Sequence, residues 1–216
     1  MEICNSCQGG CCRNYTVSLT GYDILNISKT LSVQPSSFIQ IIAVEEGADI
    51  EYKSKHAALF KFSDYGKDKY YIFGMKMSES TIAPGTAKCQ FLLEWNLDDN
   101  NPTPEGIIAR CGIYNCRPLL CSAFPTKFDE TEQFGIMVNA SAFSQNFDHP
   151  IYKTCSKKPS AEDISNPDEI MKILVLKKYE VDYFKILATQ WDKKSGTLME
   201  FLDFMAKAYQ NRVIIE

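Results

Sequence analysis

The sequence has few histidines, the residue that most often acts as a general acid or base in enzymes. It contains two histidines, His56 and His149, in 216 residues. His56 precedes an expected strand and His149 precedes a proline, so we expect both to be surface or packing residues. There is no His-Glu-x-x-His sequence, no glycine-rich phosphate loop and no serine-nucleophile motif. Most standard enzyme classes are therefore unsupported by the sequence.

The chain also lacks a surplus of basic residues and a long apolar run. Its 23 Lys and Arg against 27 Asp and Glu give a net charge of -4, which does not attract a phosphate backbone. No apolar stretch approaches the roughly 18 residues of a membrane span, and the start, Met-Glu-Ile-Cys, has no charged leader before an apolar segment. We therefore expect a cytoplasmic protein that binds neither nucleic acid nor membrane. Its protein or small-molecule partner is not identified by the sequence.

Cysteine, in contrast, is abundant. A cytosolic chain does not sustain structural disulfides, and the odd count of nine argues against full pairing, so metal binding or catalysis is the usual explanation. The cysteines are strongly clustered, with four in the first twelve residues, three in a short later segment, and two that flank this segment: Cys4, Cys7, Cys11 and Cys12; Cys111, Cys116 and Cys121; Cys89 and Cys155.

The segment 4–12 has the pattern Cys-x2-Cys-x3-Cys-Cys. Gly9 and Gly10 allow the backbone to fold back, so that three or four sulfurs can converge on one centre. A single Cys-x2-Cys also occurs in redox pairs, but four cysteines in nine residues are difficult to explain as small buried hydrophobic residues in a polar segment. The pattern predicts metal ligation.

The rest of the chain predicts an α+β fold, with a small antiparallel sheet, surrounding helices, a cysteine-rich metal-binding core and two C-terminal helices. Capping signals and apolar spacing predict these elements: helices at 20–31 and 35–44, a charged connection at 45–55, a β-hairpin of 57–63 with 69–75, a surface loop at 96–106, a strand at 134–138, a long helix from Asn166-Pro167 and a last helix from Thr197. We expect a cysteine-cluster metal-binding region at 1–160 and a helical region at 161–216 packed on it, most simply as one compact domain.

The second cysteine segment has a distinctive pattern. It consists of Cys89-Gln-Phe-Leu, followed by Cys-Gly-Ile-Tyr-Asn-Cys-Arg-Pro-Leu-Leu-Cys-Ser-Ala-Phe-Pro over residues 111–125. Together with the first cluster, this pattern resembles the cysteine-cluster family named for its CxxCxxCC signature, the YkgJ-type zinc- or iron-chelating proteins, which includes flagellin lysine N-methylases. The resemblance extends over about residues 4–155.

The resemblance implies a metal-ligand set of eight cysteines: Cys4, Cys7, Cys11, Cys12, Cys89, Cys111, Cys121 and Cys155. Two positions depart from the family. Ser122 stands where the family usually has arginine, and Cys116 is an additional thiol that could be a ligand or a spare. Loss of that arginine makes Arg117 the better candidate for a charge partner of a bound cofactor, although an ordinary surface salt bridge would explain Arg117 equally well.

The identity of the metal stays open at this point. Structural zinc sites commonly use two close ligand pairs, whereas this chain has one Cys-x2-Cys and then cysteines far apart. Closely spaced cysteines also resemble iron–sulfur binding segments, although no Cys-Pro follows the last ligand. The expected cofactor is therefore an iron–sulfur cluster or zinc, and eight thiolates could form one site or two.

Three hypotheses for function follow. The first is a metal-binding cysteine-cluster protein whose centre is structural or redox-active. The second is a protein side-chain (lysine) N-methylase-like enzyme, which rests on the family resemblance alone because the chain has no glycine-rich nucleotide fingerprint. The third is a metal-delivery or redox-sensing module. A reversible optical change on reduction would favour the electron-carrying form of the first hypothesis. Saturable S-adenosylmethionine binding would favour the second, and metal transfer to an acceptor would favour the third.

Overall fold

The computed structural model describes residues 9–66, 69–96, 106–138, 160, 162, 164–194 and 196–212. The chain divides into two compact units, which we call the cysteine unit (Met1–Val17 with Met75–Val175) and the helical unit (Ser18–Gly74 with Leu176–Glu216). The boundary near residue 160 that the sequence suggested stays a prediction. The surface loop predicted at 96–106 lies almost wholly outside the described residues.

The described residues contain six α-helices and eight short strands. The helices are α1 (Gly10–Asn14), α2 (Gly21–Leu31), α3 (Ala48–His56), α4 (Leu119–Ala123), α5 (Pro167–Asp192) and α6 (Leu198–Gln210). The strands are β1 (Ile39–Val44), β2 (Tyr70–Met75), β3 (Met77–Glu79), β4 (Ala87–Cys89), β5 (Leu92–Asn96), β6 (Ile107–Cys111), β7 (Thr126–Phe128) and β8 (Gly135–Met137). They pair as β1 with β2 and, antiparallel, β3 with β4, β5 with β6 and β7 with β8. The predicted α+β class with small sheets and two C-terminal helices is confirmed.

The helices with capping signals begin where the sequence predicted. Thr20 and Asp23 form a capping box before α2, and the Asp23 carboxylate accepts the Thr20 N–H at 2.9 Å. Thr197 and Glu200 do the same before α6. The Asn166 side chain accepts a backbone N–H from the first turn of α5 at 3.1 Å. These bonds satisfy amide groups that have no partner inside a helix, which is why the local signals were sufficient.

Two predictions between α2 and β2 are wrong. Residues 35–44 do not form a helix, because Pro35–Ser37 is a single 3-10 turn and the β-branched segment after it becomes β1. Residues 45–55 are not a simple connection, since α3 begins at Ala48. A half-buried Lys–Asp pair and an exposed Lys–Glu pair support this helix. The hairpin predicted from 57–63 and 69–75 is reduced to one bridge, Phe60 with Tyr71.

An aromatic cluster forms the core of the helical unit. The Phe60 ring centroid lies 4.6 Å from that of Phe201 and 4.8 Å from that of Phe184, and Phe62 and Phe73 complete the group. All of these side chains are almost fully buried, and offset or edge-on rings of this kind add to the hydrophobic stabilisation. Of the stripe predicted on α5, three residues are buried and three partly buried: Leu174, Phe184 and Leu187; Ile170, Ile173 and Tyr183. No helix in the described part of the chain is both long and apolar enough to cross a membrane.

Candidate metal centre

Two of the N-terminal cysteines, Cys11 and Cys12, lie in α1. Gly9 precedes this helix with φ of 74°, in the left-handed region that favours glycine. A Cβ atom on Gly9 would lie 2.9 Å from the Leu92 Cδ2 atom and 3.1 Å from the Ala109 Cβ atom. The glycine therefore both turns the backbone and lets it approach the β5–β6 hairpin closely.

Replacement of Gly9 by alanine should destabilise the cysteine unit by about 2–4 kcal/mol, because the left-handed backbone and the contact with Leu92 both oppose a side chain. Gly85→Ala is the matched control, since Gly85 has φ of 77° but nothing within 4 Å of an added Cβ atom. It should cost only the backbone contribution of about 1–2 kcal/mol. Urea unfolding of both variants measures the difference, and equal losses would show that the Leu92 contact does not matter.

Cys89 and Cys111 lie at one end of the β5–β6 hairpin. Cys89 is the last residue of β4 and is separated from Leu92, the first residue of β5, by a two-residue turn. Leu92 is the register partner of Cys111, the last residue of β6. The Gly112 N–H donates to the Phe91 carbonyl at 2.8 Å and closes the same end. Two cysteines that are distant in sequence are thus brought to one edge by strand pairing.

Cys116 and Cys121 follow in the next two short helices. Cys116 ends the 3-10 turn Tyr114–Cys116, where its N–H donates to the Ile113 carbonyl at 2.9 Å, and its side chain is 4% exposed. Cys121 lies in α4 and is partly buried. Burial to this extent is typical of a cysteine that packs as a small hydrophobic residue, which fits the interpretation of Cys116 as a spare thiol.

The electrostatics of Cys12 indicate that the thiols lie near one another. Its sulfur is 3.8 Å from that of Cys11. The hydrogen bond with Cys11 raises the pKa of Cys12 well above its usual value, and burial and the nearby Cys11, Cys121 and Cys89 raise it further. A thiolate affects another group in this way only at short range, so these residues share one neighbourhood.

The other strand-end thiols show the same behaviour. Burial raises the pKa of Cys89, and Cys111 and Cys11 raise it further. Burial also raises the pKa of Cys111. Cys11 and Cys116 raise it further, whereas the Arg117 guanidinium lowers it. A bound cation would reverse this preference, because metal-bound cysteine is deprotonated. The predicted ligands are all sulfur donors, and soft thiolates of this kind fit zinc and iron–sulfur centres.

Only part of the predicted ligand set lies in the described residues. Cys4, Cys7 and Cys155 lie outside the described residues. The six described cysteines form no disulfide with one another. Within the described ranges, no three histidine, cysteine, aspartate or glutamate side chains are arranged to hold a metal ion. The assignment of eight cysteine ligands therefore stays a prediction, and His56, which lies in α3, is not among the residues brought together.

A buried ionic network that sequence reasoning missed lies beside the cysteines. The Arg13 Nη2 atom is 2.5 Å from Glu94 Oε2, with the two side chains 0% and 1% exposed. The other carboxylate oxygen of Glu94 accepts from the Ser80 hydroxyl and the Thr81 N–H, both at 2.7 Å, and lies 3.3 Å from Lys88 Nζ. Arg13 follows Cys12 and Lys88 precedes Cys89, so Glu94 on β5 links two cysteine-bearing segments.

This network keeps Glu94 ionised. Burial opposes ionisation, but the Ser80 hydrogen bond and the Arg13 guanidinium lower the pKa of Glu94 to about 2. No local pattern predicts this pair, because Arg13 and Glu94 are 81 residues apart. The charge of Arg13, directly after Cys11-Cys12, was the only local indication of this network.

Arg117 occupies a defined position next to the cysteines. Its guanidinium carbon lies 4.2 Å from the Tyr114 ring centroid, and its Nε donates to the Ser122 hydroxyl at 3.3 Å. Ser122, the departure from the family pattern, therefore orients Arg117. The assignment of Arg117 to cofactor binding stays a prediction.

The family model described as "CxxCxxCC: Putative zinc- or iron-chelating domain" matches residues 3–142. The chain therefore belongs to this zinc- or iron-chelating family, and the matched region contains every cysteine except Cys155. No curated protein and no solved structure matches the chain. Family membership supports metal binding in general, without distinguishing zinc from iron.

Proposed function

We propose that the protein holds an iron–sulfur cluster through the thiolates of its cysteine cluster, with a structural or electron-carrying role. The observation that carries the proposal is the convergence of cysteine-bearing segments that are distant in sequence. Helix α1, with Cys11 and Cys12, contacts β4, which ends at Cys89, and Cys111 lies opposite the first residue of β5. The donors are exclusively sulfur. Iron–sulfur clusters are commonly held by four cysteine thiolates, and closely spaced cysteines such as those of the N-terminal segment are typical of their binding sequences.

A single zinc ion is the second candidate, and one distance favours it. The sulfurs of Cys11 and Cys12 are 3.8 Å apart. Zinc–sulfur bonds of about 2.3 Å in a tetrahedron place neighbouring sulfurs about 3.8 Å apart. A structural zinc centre would use four of the cysteines and leave the others as reserve thiols.

Anaerobic purification followed by iron, zinc and acid-labile sulfide analysis separates the two candidates. The proposal predicts iron and sulfide in equal amounts and broad visible absorbance. If the cluster carries electrons, the absorbance should bleach on reduction and return on reoxidation, whereas a purely structural cluster should resist reduction. Zinc without sulfide would contradict the cluster and favour the second candidate. Protein that remained free of metal, even after incubation with iron and sulfide or with zinc, would contradict both.

A further inference from the structure

A cavity of about 300 Å³ lies in the cysteine unit, between the segment that follows Cys111 and the beginning of α5. Its lining includes one cation, Arg117, and one anion, Glu169, together with the amides of Asn115 and Asn166. Its volume is at the lower end of the range of small-molecule sites. The metal proposal does not use this cavity.

The Arg117 side chain is already positioned to bind an anion. The Tyr114 ring supports one face of the guanidinium, and the Ser122 hydroxyl accepts from Nε, so the side chain has lost much of its rotational freedom. A guanidinium has five N–H donors, and no carboxylate in the described part of the chain forms an ion pair with Arg117. The remaining donors match the two oxygens of a carboxylate.

Glu169 supplies the complementary charge. It lies in the first turn of α5, where its own N–H donates to the Asn166 side chain, and no described lysine or arginine pairs with its carboxylate. A simple anion bound at Arg117 would be repelled by Glu169, and a simple cation would be repelled by Arg117. A ligand with both charges satisfies both side chains.

The rest of the wall is apolar. Three isoleucines line the cavity, Ile164, Ile170 and Ile173, and the last two lie on one face of α5 at helical spacing. We infer that the cavity binds a free α-amino acid with an aliphatic side chain. The carboxylate binds Arg117, the ammonium group binds Glu169, and the side chain packs against the isoleucines.

Isothermal titration of the metal-loaded protein with L-leucine tests this site. Isovalerate lacks the ammonium group, isoamylamine lacks the carboxylate, and orthophosphate is a simple anion, so each of these fragments and analogues carries only some of the recognised groups. L-leucine should bind, and each fragment should bind at least about tenfold more weakly, because one charged hydrogen-bonded contact contributes roughly 1.5–3 kcal/mol. Arg117→Lys and Glu169→Gln should each weaken L-leucine binding by a similar factor. Metal content, measured on the same samples, should not change in Glu169→Gln.

Arg110→Lys and Glu130→Gln are the matched controls, because both positions are exposed and neither lines the cavity. They should leave binding unchanged. Absence of L-leucine binding, equal binding of isovalerate, or selective binding of phosphate would overturn the inference. Loss of metal in Arg117→Lys would also overturn it, since Arg117 would then serve the cysteine centre. Failure of the metal proposal appears separately, in the metal analysis of the unmodified protein.

Discussion

Replacement of Cys121 by serine is expected to remove most of the bound metal and to lower the melting temperature of the cysteine unit sharply. A structural zinc site contributes an apparent ~10–16 kcal/mol, which equals or exceeds the ~5–15 kcal/mol by which domains are usually stable. A hydroxyl is a poor substitute for a thiolate at a soft metal. Metal analysis and thermal unfolding of the variant measure both effects.

Cys116→Ala is the matched control for Cys121→Ser. Cys116 is 4% exposed and packs as a small hydrophobic side chain, so alanine should preserve metal loading if this thiol is the spare one. Full metal loading and an unchanged melting temperature in Cys121→Ser would show that the proposed centre is wrong. Loss of metal in Cys116→Ala would instead move Cys116 into the ligand set.

Replacement of Glu94 by alanine should destabilise the cysteine unit by about 3–5 kcal/mol, because the buried Arg13 guanidinium would lose its carboxylate. Metal affinity should fall as well, since Glu94 links the segments that carry Cys12 and Cys89. Urea unfolding and a competition assay with a chelator measure the two effects. Glu51→Ala is the control, because the Glu51–Lys55 pair is exposed and should contribute at most about 1 kcal/mol. A Glu94 variant as stable as this control would contradict the role of the network.

The same network sets a pH dependence. In the folded protein the pKa of Glu94 is lowered to about 2. Its contribution to stability is therefore complete above the pKa of an unfolded glutamate, roughly 4.3, and is lost as the pH falls towards about 2. Wild-type protein should lose stability over this acid range more steeply than Glu94→Gln, as measured by unfolding at each pH. Parallel curves for the two proteins would contradict this contribution.

Local signals were sufficient for some elements and insufficient for others. The capping boxes at Thr20 and Thr197 fixed the starts of α2 and α6, because a cap depends on residues within one turn. The helix predicted at 35–44 is wrong, although Phe38, Ile41 and Ile42 have helical spacing. Pairing of β1 with β2, about thirty residues further along, decided in favour of a strand, and no local pattern reveals such a partner.

The candidate site shows the same division. The cysteine spacing and the family resemblance predicted metal binding, which family membership supports, because ligand chemistry depends on residue types. The set of eight ligands stays a prediction. The Glu94 network was not predicted, since its members are ordinary charged residues that only the folded chain brings together. The cavity beside Arg117 was missed for a related reason, because Glu169, Ile170 and Ile173 come from a helix some fifty residues further along the chain.

The chain distance between α1 and α4 also has a consequence for biosynthesis. Cys11 and Cys12 leave the ribosome before Cys121, which follows on the order of ten seconds later at ordinary rates of translation. During this interval the early thiols lack the strands and the helix that surround them in the folded protein. Contacts between residues so far apart form late in folding. A metal centre that uses thiols from both helices can therefore form only after the central region has been translated.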